Sequence, residues 1–246
     1  AAVWAGSVEL WRAGGAGALG FAVARPDRHD QATGAVWHHE VPGRPVEPLV
    51  LGPGAPAVAH RLGEALGRLG RAPVAPVARA GRADQLARTG RAVERAARAL
   101  PPLAGELRAR LAALAAAAGA LPPERSVPVH GAPHVHQWLL DGDRLGLVDF
   151  DRFAMGEPEL DLATFVAELR SERRLTVPLA DLEGALCAGY EAAGRPVDPA
   201  VLAWYRSHKL LSKVTRAAWA VRPDGDDRAA RHLAALDTPV GQPSTR

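Results

Sequence analysis

The stretch that decides the fold is His130-Gly131-Ala132-Pro133-His134-Val135-His136-Gln137-Trp138-Leu139-Leu140. Leu147-Val148-Asp149-Phe150-Asp151 follows it, then Gly156-Glu157-Pro158-Glu159-Leu160-Asp161-Leu162-Ala163. The short apolar runs Val127–Val129, Trp138–Leu140 and Leu145–Val148 read as strands, and Asp141-Gly142-Asp143 between the last two is a hairpin turn signal. Asp149 closes the hairpin, which sets its carboxylate on a rigid strand end at the mouth of an open loop. A hairpin with polar residues at its start and a carboxylate at its end can aim both at one ion, and hard oxygen donors suit Mg²⁺ held together with phosphates.

Outward from this segment the period is helical. After Pro158, Leu162, Phe165, Val166 and Leu169 form one apolar stripe, and Leu182 with Leu186 form another. A long apolar helix is expected over 199–221 and a last one near 226–236, with a frayed tail after it. Upstream, Leu62, Leu66 and Leu69 make a stripe after Pro56, and an arginine-rich helix runs from about Asp84 to Leu100 with its arginines on a solvated face. Leu107, Leu111 and Leu114 begin a further helix that Pro122-Pro123 breaks. The first 55 residues are rich in Gly, Pro, Trp and His. Their apolar runs Val8–Trp11, Leu19–Ala24 and Ala35–His39 read as two or three strands. Gly14-Gly15-Ala16-Gly17 reads better as a flexible connector than as a phosphate-cradling loop, which needs a defined strand–loop–helix or strand–loop–strand frame.

Composition bounds the rest. The 246 residues are 48% hydrophobic and 23% charged, enough to bury a core in one or two domains. The single cysteine, Cys187, excludes a disulfide framework and a cysteine-rich zinc module. The net charge of +3 is spread along the chain, so no nucleic-acid partner is expected. Without an apolar run of about 18 residues or a secretion signal, no membrane partner is expected either, and the expected location is cytoplasmic. The chain starts at Ala1 and its one methionine is Met155. A trimmed start, or membership of a longer chain, is expected.

The decisive segment resembles the aminoglycoside phosphotransferase family, small-molecule kinases of protein-kinase-like fold. That family reads His-Gly-Asp, one residue, His, two residues, Asn and three apolar residues, then Ile-Asp-Phe, then Gly-Asp-Pro, two residues and Asp-Leu-Ala. His130, Gly131 and His134 fit the first part, Asp149 the metal carboxylate, Gly156 and Pro158 the turn, and Asp161 the buried aspartate of the next helix. Val41-Pro42-Gly43-Arg44-Pro45 is similar to the family's inter-lobe linker. The resemblance implies an α+β fold of protein-kinase-like, APH type. Residues 1–40 would form a reduced, strand-rich N-terminal lobe and 41–46 the linker. Residues 47–240 would form a mainly helical C-terminal lobe carrying a catalytic hairpin at 127–151, with 241–246 as a tail. It further implies transfer of a nucleotide's γ-phosphoryl group to a hydroxyl of an aminoglycoside-like antibiotic, sugar or metabolite. ATP or GTP and Mg²⁺ would serve as cofactors, with Asp149 and Gln137 as metal residues.

Two departures point to impairment. The family's catalytic base is an aspartate, where this chain has Ala132, and its second metal ligand is an asparagine, where this chain has Gln137. A methyl group cannot accept a proton. Only about 40 residues precede the linker and none is lysine, so the lobe that grips the nucleotide is expected to be truncated or partly missing from this chain. The alternative function is therefore an inactive pseudokinase that binds a protein partner. His134 or His136 in place of the missing base is a weaker option. His130 and Asp161 read as structural supports of the loop, and Asp151 as a second metal contact or a plain turn residue. A zinc site on His130, His134 and His136 is disfavoured because Gly131 and Pro133 argue against an extended segment. Trp204, Tyr205, His208 and Trp219 either line an acceptor pocket or belong to the core. Arg206, Lys209, Lys213 and Arg216 form a basic stripe, read as a solvated face in preference to an anion site.

Overall fold

The computed structural model describes residues 2–170, 172, 174–219, 229–230 and 232–233. The expected tail at 241–246, most of the expected helix at 226–236 and the end of the helix expected over 199–221 lie outside these residues, as does the Trp219 side chain. Two compact units emerge: residues 1–80 with 125–197, and 81–124 with 198–246.

The first unit opens with helix α1 (Ala2–Gly15), so the run Val8–Trp11 is helical and not the expected strand. The reason is spacing: Gly6, Leu10 and Ala13 fall at i, i+4 and i+7, Leu10 and Ala13 are buried, and a Cβ at Gly6 would meet the Phe153 ring. Of the run Leu19–Ala24, Ala22 alone makes a bridge, parallel to Gly146, with its N–H on Leu145 O and its carbonyl accepting from Leu147. Strands β1 (Pro26–His29) and β2 (Val36–His38) form an antiparallel ribbon. The sequence reading missed β1, whose Pro-Asp-Arg-His run carries no apolar alternation.

Arg44–Pro45 is β3, antiparallel to β6 (Trp138–Asp141), which pairs in turn with β7 (Arg144–Leu147). Gly142 opens the two-residue β6–β7 turn at φ 55°, a positive value that favours glycine. A second sheet, of order β4–β8–β5, joins β4 (Arg79–Ala80), β8 (Ala154–Gly156) and β5 (Val127–Val129).

Helices α2 (Glu47–Leu51), α3 (Ala55–Leu69), α6 (Pro158–Leu169) and α7 (Leu179–Ala192) complete the unit. Helices α3 and α7 meet backbone to backbone through glycines. A Cβ at Gly63 would collide with the Leu186 carbonyl oxygen, and one at Gly189 with that of His60. Helix α6 starts at Pro158, where a missing N–H is harmless, and every residue of it except Glu168 is buried.

The second unit holds α4 (Arg82–Ala99), α5 (Ala104–Ala118) and α8 (Pro199–Trp219). Across the α4–α5 hairpin Arg108 grips Glu94 with two hydrogen bonds of 2.9 and 2.8 Å. Helix α8 is tied to α4 through His208 Nε2 and Thr89 Oγ1 at 2.8 Å, and to α5 by the Trp204 indole N–H on Leu114 O at 2.9 Å. Among the described residues, no helix is long and apolar enough to cross a membrane.

Candidate active site

The loop between β5 and the hairpin carries the predicted residues, and α6 holds it. Asp161, in the first turn of α6, accepts the backbone N–H groups of His130 (2.7 Å) and Gly131 (2.8 Å). Glu168 lies seven residues on, two turns along the same face. Its Oε2 accepts the Val135 N–H at 2.8 Å, and its two oxygens stand 3.3 and 3.6 Å from the Nδ1 atoms of His134 and His136. Those two imidazoles stack with a ring separation of 5.5 Å. Burial pushes the Glu168 carboxyl up, but the His134 contact, the Val135 N–H and the two histidine charges outweigh it and hold the carboxyl below its ordinary value.

His130 is fully buried. The Ala132 N–H points at its Nδ1 (3.4 Å), which makes Nδ1 the acceptor, so Nε2 carries the hydrogen and donates it to Val148 O at 3.0 Å. Burial lowers its pKa to about 4, and the ring is neutral at physiological pH. Gly131 takes φ 86°, and a Cβ there would lie inside contact distance of the Arg152 carbonyl oxygen. Glycine is therefore required where the loop crosses the segment after Asp149.

The methyl of Ala132 is buried and makes none of the hydrogen bonds that hold the loop. Asp149 is exposed and, at φ 69° and ψ 55°, is the one described non-glycine residue with positive φ. Such a backbone costs roughly 1–2 kcal/mol, less for Asp than for most residues. With Asp151, Asp149 borders an open recess of about 110 Å³ whose other walls include Val3 and Leu10 of α1.

Gln137 joins the two halves of the site. Its amide oxygen accepts the His134 N–H at 2.7 Å, and its amide nitrogen donates to Asp149 Oδ2 at 2.5 Å. The assignment is fixed by chemistry: flipping the amide would set donor against donor at His134 and acceptor against acceptor at Asp149. The extra methylene relative to asparagine gives the amide the span to reach both. A divalent cation wants oxygen donors, and here two carboxylates, Asp149 and Asp151, border the recess, with an N–H already on Asp149 Oδ2. Among the described residues, no three His, Cys, Asp or Glu side chains converge as a metal site. The Gln137 N–H on Asp149 Oδ2 does not fit a Mg²⁺ held at that oxygen.

Thus His130, Ala132, His134, Gln137, Asp149 and Asp161 belong to one loop system in the first unit. Glu168 was missed, although an acidic residue seven positions after Asp161 in an otherwise apolar helix was a legible signal. Trp204, Tyr205 and His208 are on α8 in the second unit. All three are buried and pack on one another, Trp204 stacking on His208 at 5.6 Å and meeting Tyr205 edge to face at 4.8 Å. Trp204 also borders an apolar cavity of about 360 Å³ between α5 and α8, with Leu114 and Leu211.

Comparison with known proteins agrees with this geometry. The profile of the phosphotransferase enzyme family, APH, matches residues 15–205. None of the curated proteins matches the chain. Among solved structures, an amicoumacin kinase determined in complex with AMP-PNP and Ca²⁺ superposes with a TM-score of 0.70 at 16% identity, covering 96% of this chain and 78% of its own. A choline/ethanolamine kinase family protein from Mesorhizobium loti gives 0.67 at 20% identity, covering 96% and 80%. A macrolide 2'-phosphotransferase from Brachybacterium faecium gives 0.61 at 20% identity, covering 100% and 82%. The shared fold is the kinase-like one, and with most of its length inside the family profile the chain belongs to the phosphotransferase enzyme family, APH.

Proposed function

We propose that the chain is a small-molecule phosphotransferase relative whose transfer step is impaired and whose cleft works chiefly by binding. The observation that carries this reading is Ala132: a methyl group stands where the acceptor hydroxyl's proton would be taken. A general base contributes roughly 10² to 10⁴ in rate, about 3–5 kcal/mol of barrier. His130 does not replace it, since both its ring nitrogens are engaged; His134 and His136, with Nδ1 turned to Glu168, stand as the weaker option for a substitute base. Phosphoryl transfer relies mainly on positioning and electrostatics, so loss of the base alone slows the reaction without abolishing it.

The family supports ATP or GTP as the ligand and a hydroxyl of an antibiotic, sugar or metabolite as the acceptor. If no nucleotide binds, a protein partner is the remaining occupant of the cleft. One observation favours a working enzyme instead: Asp149 keeps a strained backbone while facing the recess, as functional residues often do.

The test is thermal shift with ATP or GTP, with and without Mg²⁺, beside nucleotide turnover by the wild type and Asp149→Ala. A ligand that binds only the folded state raises the melting temperature. The expected result is a shift at millimolar nucleotide with turnover no higher than in Asp149→Ala. Turnover that Asp149→Ala abolishes would transfer the conclusion to the working enzyme.

A further inference from the structure

The disagreement between the donor set and a divalent cation has a single author in the chain, Gln137. We infer that Gln137 is a latch that holds the cation affinity of Asp149 low, its amide N–H occupying Oδ2, one of the two carboxylate oxygens a divalent ion would use. The latch is built at both ends. Oε1 is held by the His134 N–H at 2.7 Å, which fixes which end of the amide meets Asp149, and Nε2 reaches Asp149 Oδ2 at 2.5 Å. The Gln137 backbone is pinned as well, its N–H on His134 O (3.0 Å) and its carbonyl accepting from Val148 (3.2 Å). Gln137 is 4% exposed, which shields its amide from water, although Asp149 itself is exposed. A cation that takes Asp149 Oδ2, or both carboxylate oxygens, must displace the Nε2 bond. If the amide turns its oxygen to the ion, the half-buried His134 N–H loses its acceptor. Cation binding is thereby opposed at Asp149 and coupled to the turn that carries His134 and His136.

Gln137→Glu separates these effects. Glutamate has nearly the same shape, keeps an acceptor for the His134 N–H, and replaces the donor at Asp149 with a second negative oxygen. In that variant an ion relieves a like-charge contact instead of breaking a hydrogen bond. The inference rests on reading Asp149 as the cation-facing carboxylate, and the experiment tests the two parts separately. Mn²⁺ is titrated into nucleotide-free wild type, Gln137→Glu, Asp149→Asn and the double variant, with free Mn²⁺ followed by electron paramagnetic resonance and folding checked by circular dichroism. Binding at least tenfold tighter in Gln137→Glu than in the wild type, lost in the double variant, is expected. Equal binding by wild type and Gln137→Glu, abolished by Asp149→Asn, overturns the latch and leaves Asp149 as a cation carboxylate. Binding indifferent to Asp149→Asn in both backgrounds overturns the reading of Asp149 and the latch with it. Should Gln137→Glu fail to fold, Gln137→Asn serves, because its shorter side chain cannot span both partners. A gain of about threefold is then expected, and no gain overturns the latch.

Discussion

Asp161→Asn is the sharpest test of how the loop is held. The carboxylate is 3% exposed and accepts two backbone N–H groups, from His130 at 2.7 Å and Gly131 at 2.8 Å. Asparagine is nearly isosteric but offers one oxygen and one NH₂, so one of the two amides must face a donor. Hydrogen bonds to a charged group contribute about 1.5–3 kcal/mol each, and a buried N–H left without an acceptor costs about 1–3 kcal/mol. Burying a neutral amide is easier than burying a carboxylate, which returns part of the loss. The net expectation is a destabilisation of about 3 kcal/mol, or a fall of roughly 9 °C in melting temperature for a chain of this size. Because the chain has two compact units, a global melt can mix two transitions, and amide hydrogen exchange is the cleaner assay. Protection at the His130 and Gly131 amides should fall by about a hundredfold, with amides of the α4–α5 hairpin unchanged. Exchange at both loop amides within a factor of three of the wild type would refute the claim that Asp161 holds this loop.

Gly131→Ala should destabilise by about 2–4 kcal/mol in urea titration, since φ is 86° and the new Cβ meets the Arg152 carbonyl oxygen. His130 is neutral when folded, with a pKa near 4 against an ordinary 6.5. Its contribution is therefore present above pH 6.5 and lost as pH falls towards 4, by about 3 kcal/mol. The urea midpoint of the wild type should drop more steeply over that window than that of His130→Phe. Thr89→Val removes the 2.8 Å partner of the buried His208 Nε2 and should cost the second unit about 1–2 kcal/mol, read by amide exchange in α8. Ala132→Asp buries a carboxylate and should lower the melting temperature while leaving turnover far below that of a complete kinase, because Gln137 still opposes the cation.

Much of the first unit was legible because its signals are local. Asp141-Gly142-Asp143 between two apolar runs specifies a hairpin, and Pro158 before a helical stripe specifies where α6 begins. Asp161 and His130 were legible as loop supports because their spacing matches a family in which the residues keep these places. Helix α1 was misread because a four-residue apolar run such as Val8–Trp11 satisfies a strand as well as a helix. Its helical face depends on Gly6, which has no side chain to register in a hydrophobic pattern and matters only because Phe153 packs there. The orientation of Gln137 was not legible for a different reason. Composition says that an amide is present, but which end faces Asp149 is decided by the His134 N–H, a backbone group that the fold delivers. Trp204, Tyr205 and His208 share one helix face at i, i+1 and i+4, a spacing that fits a pocket wall and a packed core equally well. Only the burial of all three, with the Leu114 and Thr89 hydrogen bonds, distinguishes them.

The loop's hydrogen bonds explain how a base can vanish while its scaffold stays intact. The backbone N–H groups of residues 130, 131, 132, 134 and 135 find acceptors in Asp161, His130 Nδ1, Gln137 and Glu168. None of these bonds uses the side chain at position 132. An aspartate there is therefore maintained by chemistry alone, and it carries a desolvation cost that alanine escapes. Once transfer no longer matters, alanine is the more stable choice and nothing else in the loop needs to adjust. Gln137 fits the same logic, since its amide accepts from the His134 N–H and donates to Asp149. On the proposed reading, both residues move the site the same way, from a loop arranged around a reaction toward one arranged around its own hydrogen bonds. That common direction argues for impairment more strongly than either residue does by itself.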